Sequence, residues 1–331
     1  MNTGRRSFVI GAAALTLGAA AGAWTRTAQA AAGYPGKPVR VLVPYPPGAA
    51  TDNLGRMAAD EWAKAFGQPF IVENRGGGGT MIGTRALAMS EPDGYTLGMV
   101  DSAFVINPGL RGAEVPYDTL KDFKPISQIA TAPFVMVVHP SVAAKDLKSF
   151  IELAKAHPGT LSYGSAGVGS GPHLAGEQLR QHAGIDIQHI PYRGGGTVIT
   201  DLLGGQVQFA FATVPTLLEH IKSGRLRAIA VTTSQRVDQL PDVPSFAELG
   251  LPGVDLTPLF GLIAPAGVPD DIIQKLSTTI AASIRSGDMH GKLTKMGFIP
   301  VGSTPAEFAR RIQDEVRKWT EVIKRGGIAA Q

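Results

Sequence analysis

The chain has 331 residues, 44% of them hydrophobic and 18% charged, a globular composition with length enough for two α/β units. It contains no cysteine, which excludes disulfides, thiolate metal sites and a lipid-anchored N-terminal cysteine. Arg5, Arg6 and Arg26 supply three of the four net positive charges, so from Ala31 onward the chain carries +1 and has no nucleic-acid footprint.

Residues 1–30 read as an export signal: a basic start, an apolar run over 8–23 and an Ala28-Gln29-Ala30 cleavage pattern. The paired Arg5-Arg6 before Ser7 and Phe8 suits twin-arginine export, the alternative being ordinary secretion with two incidental arginines. No other stretch approaches the ~20 apolar residues that cross a bilayer, so a free periplasmic protein is expected.

Strands and helices then alternate. Apolar runs predict strands at 39–43, 70–73 and 95–100, with helices at 52–66 and 80–89 between them. Thr51 or Asp52 is placed to cap the first helix, and Gly67 to end it. A second alternation begins near Phe134, with strands at 134–138, 161–164, 185–190, 207–211 and 226–231 and helices at 147–157, 172–183, 198–203 and 214–222. A loop over 240–253 leads into an apolar run at 259–264 and three final helical segments. The last of these opens on Thr304-Pro305-Ala306-Glu307, a capping box with proline at the first helical position. Phe308, Ile312, Val316, Trp319 and Ile323 follow at helical spacing, as a core-facing stripe. Two mainly parallel sheets with a ligand cleft between them follow from this order.

The chemistry of an enzyme is missing. "YGSAG" at 163–167 has Tyr163 where a nucleophile elbow needs glycine, which weakens a hydrolase built on Ser165 and His173. The seven histidines have no metal-ligand spacing, so neither metal nor cofactor is expected. "ENRGGGGT" at 73–80 matches neither a dinucleotide fingerprint nor a phosphate loop, although amides at the following helix start suit a small anion. Four loops remain, at 46–52, 76–80, 165–173 and 192–197, rich in Gly, Ser, Thr and Pro.

Eight segments in order, among them "VRVLVPYPPGAATD", "PFIVENRGGGG", "LSYGSAGVGSGPHLAGE", "PYRGGGTVITDLLGGQV" and "LPDVPSFAELGLPG", resemble the solute-binding proteins of tripartite tricarboxylate transporters, the Bug or TctC-type family. The resemblance implies a two-lobed, type II-like periplasmic binding protein. It would close on a small carboxylate, a di- or tricarboxylate or an aromatic acid, and present it to a permease of two integral membrane subunits. No catalysis and no cofactor are implied, and a monomer is expected; docking on a membrane signalling kinase is the other receptor role.

Carried onto this chain, the resemblance points in the first lobe to Pro47, Gly48, Ala49, Ala50, Thr51 and Asp52, with Gly78, Gly79, Ser102 and Ala103. In the second lobe it points to Ser165, Gly169, Ser170, His173, Tyr192, Arg193, Gly194, Ala212 and Thr213. Asp52 is read as facing its own backbone, since a carboxylate repels an anionic ligand. Two departures from the family pattern stand out. Ala49 replaces the second glycine of the usual "PPGG", and Ala212-Thr213 replaces a frequent Asp-Asn, which argues against an amino-acid ligand. The expected lobes are 31–132 with 257–331, and 133–256, with hinges near 129–134 and 255–260.

Overall fold

The computed structural model describes residues 33–328; the expected export signal lies outside the described residues. In chain order the elements are β1 (Val39–Val43), α1 (Ala50–Phe66), β2 (Phe70–Asn74), α2 (Met81–Ala88), β3 (Thr96–Asp101), α3 (Ser102–Arg111) and β4 (Phe123–Thr131). There follow β5 (Phe134–Val138), α4 (Leu147–Ala156), β6 (Ser162–Ser165), α5 (Gly171–Ala183), β7 (Gln188–Pro191), α6 (Gly195–Leu203), β8 (Phe209–Thr213), α7 (Val214–Lys222) and β9 (Arg227–Val231). The chain ends with β10 (Leu259–Pro265), α8 (Asp270–Ser286), α9 (Asp288–Lys295), β11 (Ile299–Pro300) and α10 (Pro305–Gly326).

The strands form two sheets, ordered β11-β4-β10-β3-β1-β2 and β7-β6-β8-β5-β9. In the first, β1 pairs in parallel with β2 and β3, while β10 runs antiparallel between β3 and β4. In the second, β6 pairs in parallel with β7 and β8, and β5 runs antiparallel between β8 and β9. The fold is therefore two mainly parallel sheets flanked by helices. In each sheet a reversed strand is where the chain arrives from the opposite sheet: β5 follows Ala132-Pro133, and β10 follows Pro258; the two-residue β11 is also reversed, antiparallel to β4. The Thr131 hydroxyl donates to the Pro258 carbonyl at 2.6 Å, tying the two crossings together.

Helix α1 buries Leu54, Ala58 and Trp62 at helical spacing. Trp62 is fully buried, packs on Phe70 with ring centroids 5.3 Å apart, and donates its indole N–H to the Leu276 carbonyl at 3.1 Å. One such side chain contributes about 1.5–3 kcal/mol of hydrophobic stabilisation. Gly67 ends the helix at φ 67°. Helix α10 opens on the expected capping box: the Glu307 N–H donates to Thr304 Oγ1 at 3.2 Å, and the Thr304 N–H to Glu307 Oε2 at 2.8 Å.

Three sequence expectations need correction. Helix α1 starts at Ala50 with Ala49 at its N-cap, so neither Thr51 nor Asp52 is the cap. The Asp52 carboxylate instead reaches back from the first turn to the Gly48 N–H, because the proline-rich turn folds over the helix start. The sequence reading held no counterpart of α3 or β4. In α3, Asn107-Pro108-Gly109 reads as a turn, yet the helix continues through it under a cap at Asp101, whose carboxylate accepts the Ala103 N–H at 3.0 Å. In β4, Pro125 and four polar residues obscure the strand, which is shielded between β10 and β11.

Candidate functional site

The C-terminal ends of β1, β3, β6 and β8 face one another across the gap between the sheets, and a cavity of about 100 Å³ lies there. It is small beside typical clefts of about 300–1,000 Å³, which fits a ligand of few atoms. Roomier depressions lie elsewhere, one between α8 and the start of α10, another where residues 232–234 meet α10. The inter-sheet cavity is the candidate because of what converges on it.

Five helices begin at its wall. Ala49, Ala50 and Thr51 come from the start of α1, Ser102 from α3, Gly171 and Pro172 from α5, Gly195 and Gly196 from α6, and Thr213 caps α7. Helix N-termini carry unpaired amides and partial positive charge, so their convergence favours an anion. Among the described residues, no Lys, Arg or His lines the cavity. Tyr45, Phe134, Ile199, Pro258 and Phe260 form its apolar walls. The arrangement suits a carboxylate on a compact apolar body.

Of the residues singled out from sequence, Gly48, Ala49, Ala50, Thr51, Ser102, Ala212 and Thr213 line the cavity together. Ala49 sits at φ −84°, a conformation open to any residue, so its methyl group joins the wall without backbone strain. Pro47 is exposed at the rim. Asp52 is buried and held by the Gly48 N–H at 3.0 Å, Arg56 at 3.1 Å and Asn74 at 2.8 Å. Burial opposes its charge, but those donors outweigh it and hold its carboxyl below the usual range. Ala103 lies behind the wall, with its N–H on Asp101.

The other residues stand outside the cavity. Gly78 is exposed, whereas Gly79 and Gly169 sit where the two halves touch: a Cβ on Gly79 would lie 2.7 Å from the Val168 carbonyl oxygen. Ser170, the N-cap of α5, and His173 within it are buried, and the His173 ring stacks on His189 with centroids 4.3 Å apart. Burial, then the Arg111 charge, lowers His173 to about 4; burial, then His173, lowers His189 to about 3. Both rings are neutral at pH 7. The Ser165 hydroxyl lies 2.6 Å from His189 Nε2, so its histidine partner is His189 and not His173. Ser165 is fully buried and has no access to a substrate. Tyr192 turns its hydroxyl to Asp201 at 2.7 Å, Arg193 is exposed, and Gly194 packs against Pro46.

Ala166, Gly171, Pro172, Gly195 and Gly196 line the wall from the loops marked in the sequence without having been named singly, whereas Tyr45, Asp101, Phe134, Ile199, Thr216, Pro258 and Phe260 escaped as site residues. Asp101 matters most for charge. It ends β3 and caps α3 by accepting the Ala103 N–H at 3.0 Å, and the Tyr45 and Thr51 hydroxyls and its own backbone N–H favour its charge. Burial nonetheless pushes its carboxyl up to about 6. A signal for it existed in its place as the last residue of a buried strand, where α/β ligand sites form.

No helix among the described residues is long and apolar enough to cross a membrane, and no cluster of metal-ligating side chains occurs among them. The model of the tripartite tricarboxylate transporter family receptor matches residues 54–328. The chain is 37% identical to the protein BugT of Bordetella pertussis over 99% of both chains. In structure it is similar to an R. palustris protein solved with adipate, at TM-score 0.86 and 32% identity over 89% of this chain and 99% of that one. It is equally similar to the periplasmic binding protein BugD, at TM-score 0.86 and 30% identity over 90% and 100%. These relatives are substrate-binding receptors rather than enzymes, which accords with a cavity walled by helix starts and a serine sealed in the core. The chain belongs to the tripartite tricarboxylate transporter receptor family.

Proposed function

We propose that this receptor captures a small carboxylate in the inter-sheet cavity and delivers it to a two-subunit membrane permease from the periplasm. The observation that carries the reading is the convergence of five helix N-termini on a cavity whose lining has no basic side chain. Backbone amides and the Thr213 hydroxyl then hold the carboxylate, and the aromatic and proline walls exclude water from its body. The adipate complex of the related R. palustris protein supports this ligand chemistry.

The reading assigns 31–132 with 257–331 to one lobe and 133–256 to the other, and places the hinge at the two crossings joined by Thr131 and Pro258. Ligand shifts the population toward the closed form by as much as it favours that form. A thermal-shift screen of mono-, di- and tricarboxylates, aromatic acids, amino acids and neutral amides tests it. A ligand at a hundred times its Kd adds about 2.7 kcal/mol of stability. A carboxylate hit weakened by Thr213→Val supports the assignment; silence across all acids contradicts it.

A further inference from the structure

Four of the five helix starts at the cavity are open to an anion, but the start of α3 is capped by the carboxylate of Asp101. Asp101 retains partial exposure while Tyr45, Thr51, Val100 and Ser102 around it are almost completely buried, so the surface it keeps opens into the cavity. The Asp101 carboxylate accepts the Ala103 N–H at 3.0 Å, and the Tyr45 and Thr51 hydroxyls and its own backbone N–H also favour its charged form. No basic side chain lines the cavity to neutralise it.

From this geometry we propose that Asp101 sets specificity within the carboxylate-binding role above: the ligand carries its carboxylate at the helix starts and, at the Asp101 end, a hydrogen-bond donor in place of a second carboxylate. Hydroxyl, amide N–H and ammonium groups share that chemistry. A second carboxylate there faces like-charge repulsion in a desolvated wall, whereas a donor meets a carboxylate that no basic side chain of the lining neutralises. Near pH 7 the charged form of Asp101 prevails, so the discrimination operates at neutral pH. The position of Asp101 also explains why loss of an acidic residue at Ala212-Thr213 leaves the cavity with a donor-reading group: the first sheet supplies it.

The test is calorimetric titration of the purified protein at pH 7.5 with butanoate, 4-hydroxybutanoate, succinamate, 4-aminobutanoate and succinate, and with the six-carbon counterparts. The expected result is that at least one donor-bearing acid binds tenfold or more tighter than the diacid of equal length. In Asp101→Asn this ratio shrinks at least fivefold. Asparagine is as good an N-cap as aspartate, so α3 is preserved, and Asp101→Ser is a second cap-competent removal of the carboxylate. The hydroxyl, amide and ammonium arms show which donor is read. A diacid that binds the wild-type protein as tightly as every donor-bearing acid overturns the proposal, as does a ratio unchanged in both variants. Binding of butanoate without discrimination overturns this proposal alone; no binding by any of the acids overturns the carboxylate-receptor reading with it.

Discussion

A Cβ built on Gly169 would stand 2.5 Å from the Asn107 side-chain oxygen, closer than real side chains approach. Gly169 precedes α5 beside the second sheet; Asn107 lies in α3 beside the first and donates its amide to the Gly79 carbonyl at 2.8 Å. The two halves thus meet backbone to side chain. On the opposite lip, Gly194 has extended backbone at φ 178°, and a Cβ there would lie 3.3 Å from Pro46. Gly194→Ala therefore crowds the contact between the halves without straining its own backbone. The expected outcome is a loss of about tenfold in ligand affinity, ~1.4 kcal/mol, with the ligand-free melting temperature nearly unchanged, checked by calorimetry and thermal denaturation. Gly169→Ala, at φ 86°, adds backbone strain and should lower both.

The stacked histidines predict acid lability. His173 and His189 have folded pKa values near 4 and 3, below the unfolded value of about 6.5, so between these limits the unfolded chain binds more protons and stability falls as pH falls. Asp101 acts in the opposite sense. Its pKa is raised to about 6, so the folded state binds the extra proton and stability rises as pH falls from about 6 toward 4. His173→Gln should flatten the loss from pH 6.5 to 5, and Asp101→Asn should deepen it. The full His173 contribution down to pH 4 is on the order of 2 kcal/mol, read from denaturant melts across pH.

Ser165 is a structural hydroxyl in this account. It bonds His189 and receives the Gly167 N–H at 3.1 Å inside the second half's core. Ser165→Ala should cost about 1–3 kcal/mol in urea denaturation by leaving those groups unpaired. Hydrolysis of p-nitrophenyl acetate should be the same in wild type and variant, and no faster than background.

The α10 cap gives a control remote from the cavity. Thr304→Ala removes the hydroxyl that receives the Glu307 N–H and should cost about 1 kcal/mol, with ligand affinity unaltered.

What the sequence made legible follows from local rules. Strands and helices with clean periodicity, such as β1, α1 and α10, and the helix-start loop of residues 48–51, are written in contiguous residues. Helix α3 is not, because its Asn107-Pro108-Gly109 has the local chemistry of a turn. The Asp101 cap and close packing override it: a Cβ on Gly109 would lie 2.8 Å from the Thr320 backbone of α10. The cavity wall divides the same way. Thr51 follows a turn rich in small residues and proline, which marks a strand end, whereas Thr213, the last residue of β8, was reached only through the family resemblance. Phe134, Pro258 and Phe260 come from the crossings, and Tyr45 and Asp101 meet only once β1 and β3 are aligned, so no single stretch reveals them. The glycines at 79, 169 and 194 were marked by composition, but their place at the contact between the halves depends on partners far away in the chain.

The central claim is that a carboxylate binds in the cavity between the sheets. Ala212 lines that cavity on β8, and Ala212→Trp fills it. The deciding measurement is calorimetric titration of the tightest acid from the screen into wild type and Ala212→Trp, with the fold of each verified by thermal denaturation. At least a hundredfold weaker binding to a folded variant is the predicted result; an unchanged Kd would place the ligand elsewhere and contradict the account.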